Sequence, residues 1–106
     1  MEENFVEITP PEAWNILKQG NAVLVDIRDL IRFQHSHPQD AFHLTNLSYR
    51  QFLDKYDYEH SIVVMCYHGI SSRNTAQYLV EQGFERVYSV KGGFDAWVKE
   101  NLPVEY

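Results

Sequence analysis

Cysteine is nearly absent: the chain has 106 residues and one thiol, Cys66. A single thiol cannot close an intramolecular disulfide, which excludes a stapled secreted scaffold and an oxidoreductase that cycles two of its own thiols. Long apolar runs are missing too. The longest, Ile62 to Tyr67, has six residues, whereas a membrane-spanning helix needs about 20. Basic charge is scarce, with nine Lys and Arg against fifteen Asp and Glu and a formal net charge of −6. That balance argues against nucleic acid and against an anionic membrane as partners, since both call for a basic face. The opening Met-Glu-Glu-Asn lacks the basic and apolar regions of a signal peptide, so a cytoplasmic protein is expected. There is no repeat, low-complexity tract or linker, and the length corresponds to one domain, residues 1–106, with no room for a separate cofactor domain.

What is present is an alternation of short apolar blocks and turn signals. Thr9-Pro10-Pro11-Glu12 predicts a helix start, with a hydroxyl N-cap, Pro at the first helical position and Glu three residues after the cap. That helix runs through Trp14, Ile16 and Leu17 to about Gly20. Ala22 to Val25, Ile62 to Met65 and Arg86 to Val90 read as strands. The first two are continuously apolar, as in strands covered on both faces. Helical patterns follow the second strand from Ser71 to Gln82 and the third from Phe94 to Asn101. This order predicts an α/β fold with a central parallel sheet flanked by helices. Ligands of such sheets sit off the carboxyl ends of the strands, and Cys66 stands at one of those ends.

Cys66-Tyr67-His68-Gly69-Ile70-Ser71-Ser72 bridges a buried strand and a helix start. First-turn N–H groups have no helical partner and face whatever anion occupies the loop, where the helix dipole adds roughly half a positive charge. Gly69 can take a positive φ, letting successive N–H groups turn inward as a nest. A thiol there loses its proton more readily than a free one. The loop from Tyr67 to Ser72 is therefore expected to cradle a Cys66 thiolate.

Four segments in order resemble the rhodanese family: Val25-Asp26-Ile27-Arg28, the stretch Phe33 to Leu44, the Cys66 loop, and Val90-Lys91-Gly92-Gly93-Phe94-Asp95-Ala96-Trp97 with Leu102-Pro103-Val104. The resemblance covers nearly the whole chain and is nearest to the small single-domain thiosulfate sulfurtransferases. It implies a rhodanese-like α/β fold and a persulfide on Cys66. Thiosulfate would be the donor, releasing sulfite, and cyanide, a thiol or a dithiol, including a thioredoxin-like one, the acceptor. With no second cysteine, an external acceptor is required. A carrier that hands the persulfide to a protein partner uses the same site chemistry and is an alternative. Many relatives have Gly-His-Ile and then Gly-Ala where this chain has Ser36-His37-Pro38 and Asp40-Ala41. The larger two-domain relatives carry basic residues directly after the cysteine, in place of Tyr67 and His68 here.

Residues 66–91 carry a net charge of +1 and the other 80 residues −7, so the surroundings of the thiol are relatively positive. Arg73, in the first turn after the loop, and Arg32 and Arg28, just past another strand end, are candidates for the donor site. Arg32 falls where two-domain rhodaneses place an Arg, and for Arg28 a salt bridge with Asp26 or Asp29 competes. A Cys-loop phosphatase or arsenate reductase needs an Arg at the sixth position after the cysteine to grip the anion bidentately. That position holds Ser72, which disfavours the reading. His35-x-His37 and Cys66-x-His68 lack zinc-finger spacing, so neither metal nor cofactor is expected.

Overall fold

The computed structural model describes residues 4–106. Strand β1, Val6–Ile8, leads into helix α1, Pro10–Lys18, whose start is the expected capping box: Thr9 Oγ1 accepts from Glu12 N, and Glu12 accepts from Thr9 N. The helix closes at Gln19, and Gly20 follows with φ 88°. Then come β2, Ala22–Asp26; α2, Leu30–His35; β3, His37–Pro38; β4, Phe42–His43; and α3, Tyr49–Lys55. The second half holds β5, Ser61–Met65; α4, Ser71–Glu81; β6, Arg86–Val90; α5, Gly93–Lys99; and β7, Val104–Glu105. The three strands and three helices expected from the sequence are present to within a residue or two at their ends.

The main sheet is wholly parallel in the order β1-β6-β5-β2-β4. Its central strands are apolar without interruption because alternate side chains enter different cores. Val23, Val25, Ile62 and Val64 pack on one face with Phe52 of α3 and Leu79 of α4. Leu24, Val63 and Met65 pack on the other with Ala13 of α1 and Trp97 of α5. There Trp14 meets Trp97 edge to face at 6.1 Å, a favoured aromatic geometry. This is the α/β architecture expected, a central parallel sheet flanked by helices. No helix among the described residues is long and apolar enough to cross a membrane.

Leu102 to Glu105, near the C-terminal end, is tied down. β7 pairs antiparallel with β3, and Trp97 Nε1 donates to Pro103 O at 2.9 Å. Asp40, where many relatives have glycine, stands at φ 62° and donates its N–H to Glu105 Oε1 at 2.9 Å. Aspartate is among the few residues that tolerate that conformation. The two-stranded β3–β7 patch holds the segment after α2 against the body of the fold. Both β2 and β5 then deliver their carboxyl ends to one edge of the molecule.

Candidate active site

At that edge β5 ends at Met65, and Cys66 begins the turn into α4. Gly69 takes φ 87°, and a Cβ added there would stand 2.7 Å from Gly92 N and 2.9 Å from Val90 O. Glycine is thus required both for conformation and for space. The turn is gripped from outside by the start of α5, where Phe94 N donates to Cys66 O at 2.8 Å and Asp95 N to Tyr67 O at 3.1 Å. Gly93 permits this approach: at φ 58°, its added Cβ would lie 2.4 Å from Cys66 O. In sequence Gly92-Gly93 reads only as a tight turn, because nothing local reveals that the Cys66 loop lies against it.

Inside the turn, Cys66 Sγ accepts the N–H of Gly69 at 3.1 Å and that of Ser72 at 3.3 Å. Ser72 Oγ lies 3.3 Å from the sulfur and 2.8 Å from Ser89 Oγ, and all three side chains are buried. Burial pushes the thiol up, but the Ser72 hydroxyl and the N–H groups of Ser72, Gly69 and His68 more than offset it. The Cys66 thiol is therefore held below its ordinary value. Of the expected cradle, Gly69 and Ser72 bond the sulfur directly and His68 contributes its N–H. Tyr67 and Ser71 line the space in front of the sulfur, and Ile70 is exposed without lining it. Ser72 occupies the sixth position after the cysteine, so a hydroxyl on the sulfur stands where a phosphatase would carry its guanidinium.

A hollow of about 180 Å³ opens before the sulfur, lined by Ile27, Arg28, Asp29, Arg32, Cys66, Tyr67 and Ser71. A neighbouring one of about 340 Å³ shares Arg28, Arg32 and Tyr67 with it. Two larger hollows are not lined by Cys66, although one of them shares Ile27 with the hollow at the sulfur.

The three candidate arginines differ sharply. Arg28 is buried and locked: its Nε and Nη2 bond the Asp26 carboxylate at 2.8 to 3.1 Å, Nη2 also reaches Ser36 O at 2.7 Å, and its guanidinium lies 3.9 Å from the Phe94 ring centre. Arg32 is largely exposed, with one bond to Asp29 at 2.6 Å and the Tyr67 ring 5.7 Å from its guanidinium carbon. Arg73 turns to β1, where its Nε donates to Glu7 Oε2 at 2.9 Å, and it does not line the hollow. Two histidines of the middle segment are engaged structurally. His37 and His43 stack on Phe33 with centroids at 4.0 and 4.4 Å, and each ring bonds a backbone carbonyl, Phe33 O and Arg28 O. Sequence reasoning missed Ser89 and Phe94 as parts of the site, whereas the Arg28–Asp26 salt bridge is one it anticipated. Neither Ser89 nor Phe94 carries a local signal, since each meets the site only through packing.

The arrangement suits nucleophilic chemistry at sulfur: a thiol made more acidic by the hydrogen bonds it accepts, facing a small hollow at whose mouth Arg32, paired with Asp29, presents an exposed guanidinium. Comparison with known proteins agrees. The chain is 69% identical over 105 residues to the thiosulfate sulfurtransferase GlpE of Glaesserella parasuis serovar 5, covering 99% of this chain and 97% of that one. It is 64% identical over 105 residues to the thiosulfate sulfurtransferase GlpE of Actinobacillus pleuropneumoniae serotype 5b, with the same coverage. Among solved structures, the polysulfide-sulfur transferase homodimer of Wolinella succinogenes superposes with a TM-score of 0.81 at 27% identity, over 96% of this chain and 79% of that one. The rhodanese-like domain model matches residues 9–100. With that span, those identities and the cysteine loop in agreement, the chain belongs to the family of rhodanese-like domains.

Proposed function

We propose that this protein is a thiosulfate sulfurtransferase working through a persulfide on Cys66. The observation that carries the reading is the sulfur itself: a lone buried thiol accepting two backbone N–H bonds and facing a hydroxyl. The thiolate attacks the outer sulfur of thiosulfate, a new S–S bond forms, and sulfite leaves with the electron pair of the bond that breaks. The N–H groups that hold the thiolate then hold the anionic persulfide, and their positions need no rearrangement between the two states. Arg32 contacts the donor's sulfonate end, since its guanidinium is the exposed one at the hollow. Arg28 shapes the wall, its charge already met by Asp26, and Arg73 contributes only background positive potential.

Cyanide or a dithiol completes the cycle by attacking the outer sulfur of the persulfide. Ile31, 80% exposed, lines the hollow next to the one at the sulfur, and that apolar side chain favours an acceptor larger than cyanide, such as a thioredoxin-like dithiol protein or a carrier's target. An unpaired reactive thiol suits a reducing compartment, and the cytoplasm is the location we assign. Mass spectrometry after thiosulfate treatment should find one extra sulfur on Cys66, with sulfite released and thiocyanate formed from cyanide in ping-pong fashion. No added sulfur in the parent, or its persistence in Cys66→Ser, would refute the proposal.

A further inference from the structure

Ser89 is fully buried in a parallel sheet, in register with Val64 on one side and Glu7 on the other. An apolar side chain would ordinarily occupy such a position. Among the described residues its hydroxyl has one hydrogen-bond partner, Ser72 Oγ at 2.8 Å, and Ser72 Oγ in turn lies 3.3 Å from Cys66 Sγ. The three polar atoms form a short chain that ends in the core at Ser89.

Each hydroxyl carries a single proton, which decides the direction of the chain. If the Cys66 thiol donates to Ser72 Oγ, one serine proton is left in the core without an acceptor: that of Ser89 when Ser72 donates to it, or that of Ser72 when its oxygen accepts from both. A buried donor without an acceptor is costly. If Ser89 donates to Ser72 and Ser72 donates to the sulfur, both protons are placed. The second arrangement requires the sulfur to accept, as a thiolate does and as the inner sulfur of a persulfide can.

We propose that Ser89 is a positioning residue: its hydroxyl donates to Ser72 Oγ and so turns the Ser72 proton toward the Cys66 sulfur. The inference rests on Cys66 reacting as a thiolate, as in the proposed sulfur transfer. Ser89 touches neither donor nor acceptor and acts only through Ser72. Its position on β6, across the turn from the loop, makes the last residues of one strand set the proton arrangement at the end of another.

The test is the pH dependence of Cys66 alkylation by iodoacetamide, which reports the thiolate without any sulfur donor. Ser89→Ala should raise the midpoint by about half a unit to one unit, equivalent to about 3- to 10-fold less thiolate below it. Ser89→Thr, which keeps a hydroxyl, should keep the parent midpoint, whereas Ser89→Val, of the same shape without the hydroxyl, should behave as Ala and serves if Ala does not fold. In a Ser72→Ala background Ser89→Ala should add no further shift, because the chain is already cut. A parent-like midpoint in folded Ser89→Ala or Ser89→Val would overturn the role. So would an undiminished shift in the Ser72→Ala background, or a threonine variant displaced as far as the alanine one. A midpoint that moves in a protein unable to transfer sulfur would leave Ser89's role standing and defeat the transferase reading.

Discussion

The turns after β2 and β5 stand side by side at the carboxyl end of the sheet, and they are held together by different means. The turn after β5 is a backbone device: glycines allow its path, N–H groups face the sulfur, and the start of α5 bonds its carbonyls. The turn after β2 is a side-chain device. It rests on the buried Asp26–Arg28 pair, on Arg28 against Phe94, and on the Phe33 ring between two imidazoles. Backbone donors cannot be mutated away one by one. Side chains can be exchanged, so the second turn is where donor preference can vary while the chemistry stays constant.

The sharpest way to break this contrast is Gly93→Ala. The left-handed conformation alone costs roughly 1–2 kcal/mol, and the new Cβ must push the Cys66 loop away from α5. Since a displacement of about 1 Å can cost about 100-fold in rate, sulfur transfer should fall by that order. A variant with parent-like turnover would show that α5 does not set the loop. Asp26→Ala comes next. It strands a buried guanidinium and should lower unfolding stability by about 3–5 kcal/mol in urea titration. A loss below about 1 kcal/mol would mean that the pair does not hold the turn. Arg32→Ala should have the smallest effect, raising the thiosulfate KM about 3- to 10-fold with kcat and thermal stability near the parent values. An unchanged KM would remove Arg32 from the donor site.

Some of this was readable because its causes are local. The Thr9–Glu12 box needs four consecutive residues, and the continuous apolar blocks at β2 and β5 need only that both faces be covered. The reactive environment of Cys66 was readable for the same reason, since strand, cysteine, glycine and helix start are contiguous. Other elements left no such trace. Helix α2 has six residues and buries none of them, so it has no apolar period to read. Helix α3 buries Phe52 alone. Strands β3, β4 and β7 have two residues each and exist only through their partners, and β1 is a strand because β6 lies beside it.

By itself the amino-acid sequence determined that there is one thiol, that it ends a buried parallel strand, and that a glycine and a helix start follow it. Those facts already specify an anion-holding turn with no internal partner to resolve a persulfide. Only the tertiary structure decided which residues from elsewhere complete it. Ser89 and Gly93 come from a strand and a turn more than twenty residues away, Arg28 is claimed by Asp26, Arg32 lines the hollow while paired with Asp29, and Arg73 is drawn away to Glu7. The reason is physical: backbone conformation follows from near neighbours, whereas the partner of a buried hydroxyl or guanidinium is settled by whatever the packed chain brings within hydrogen-bond reach.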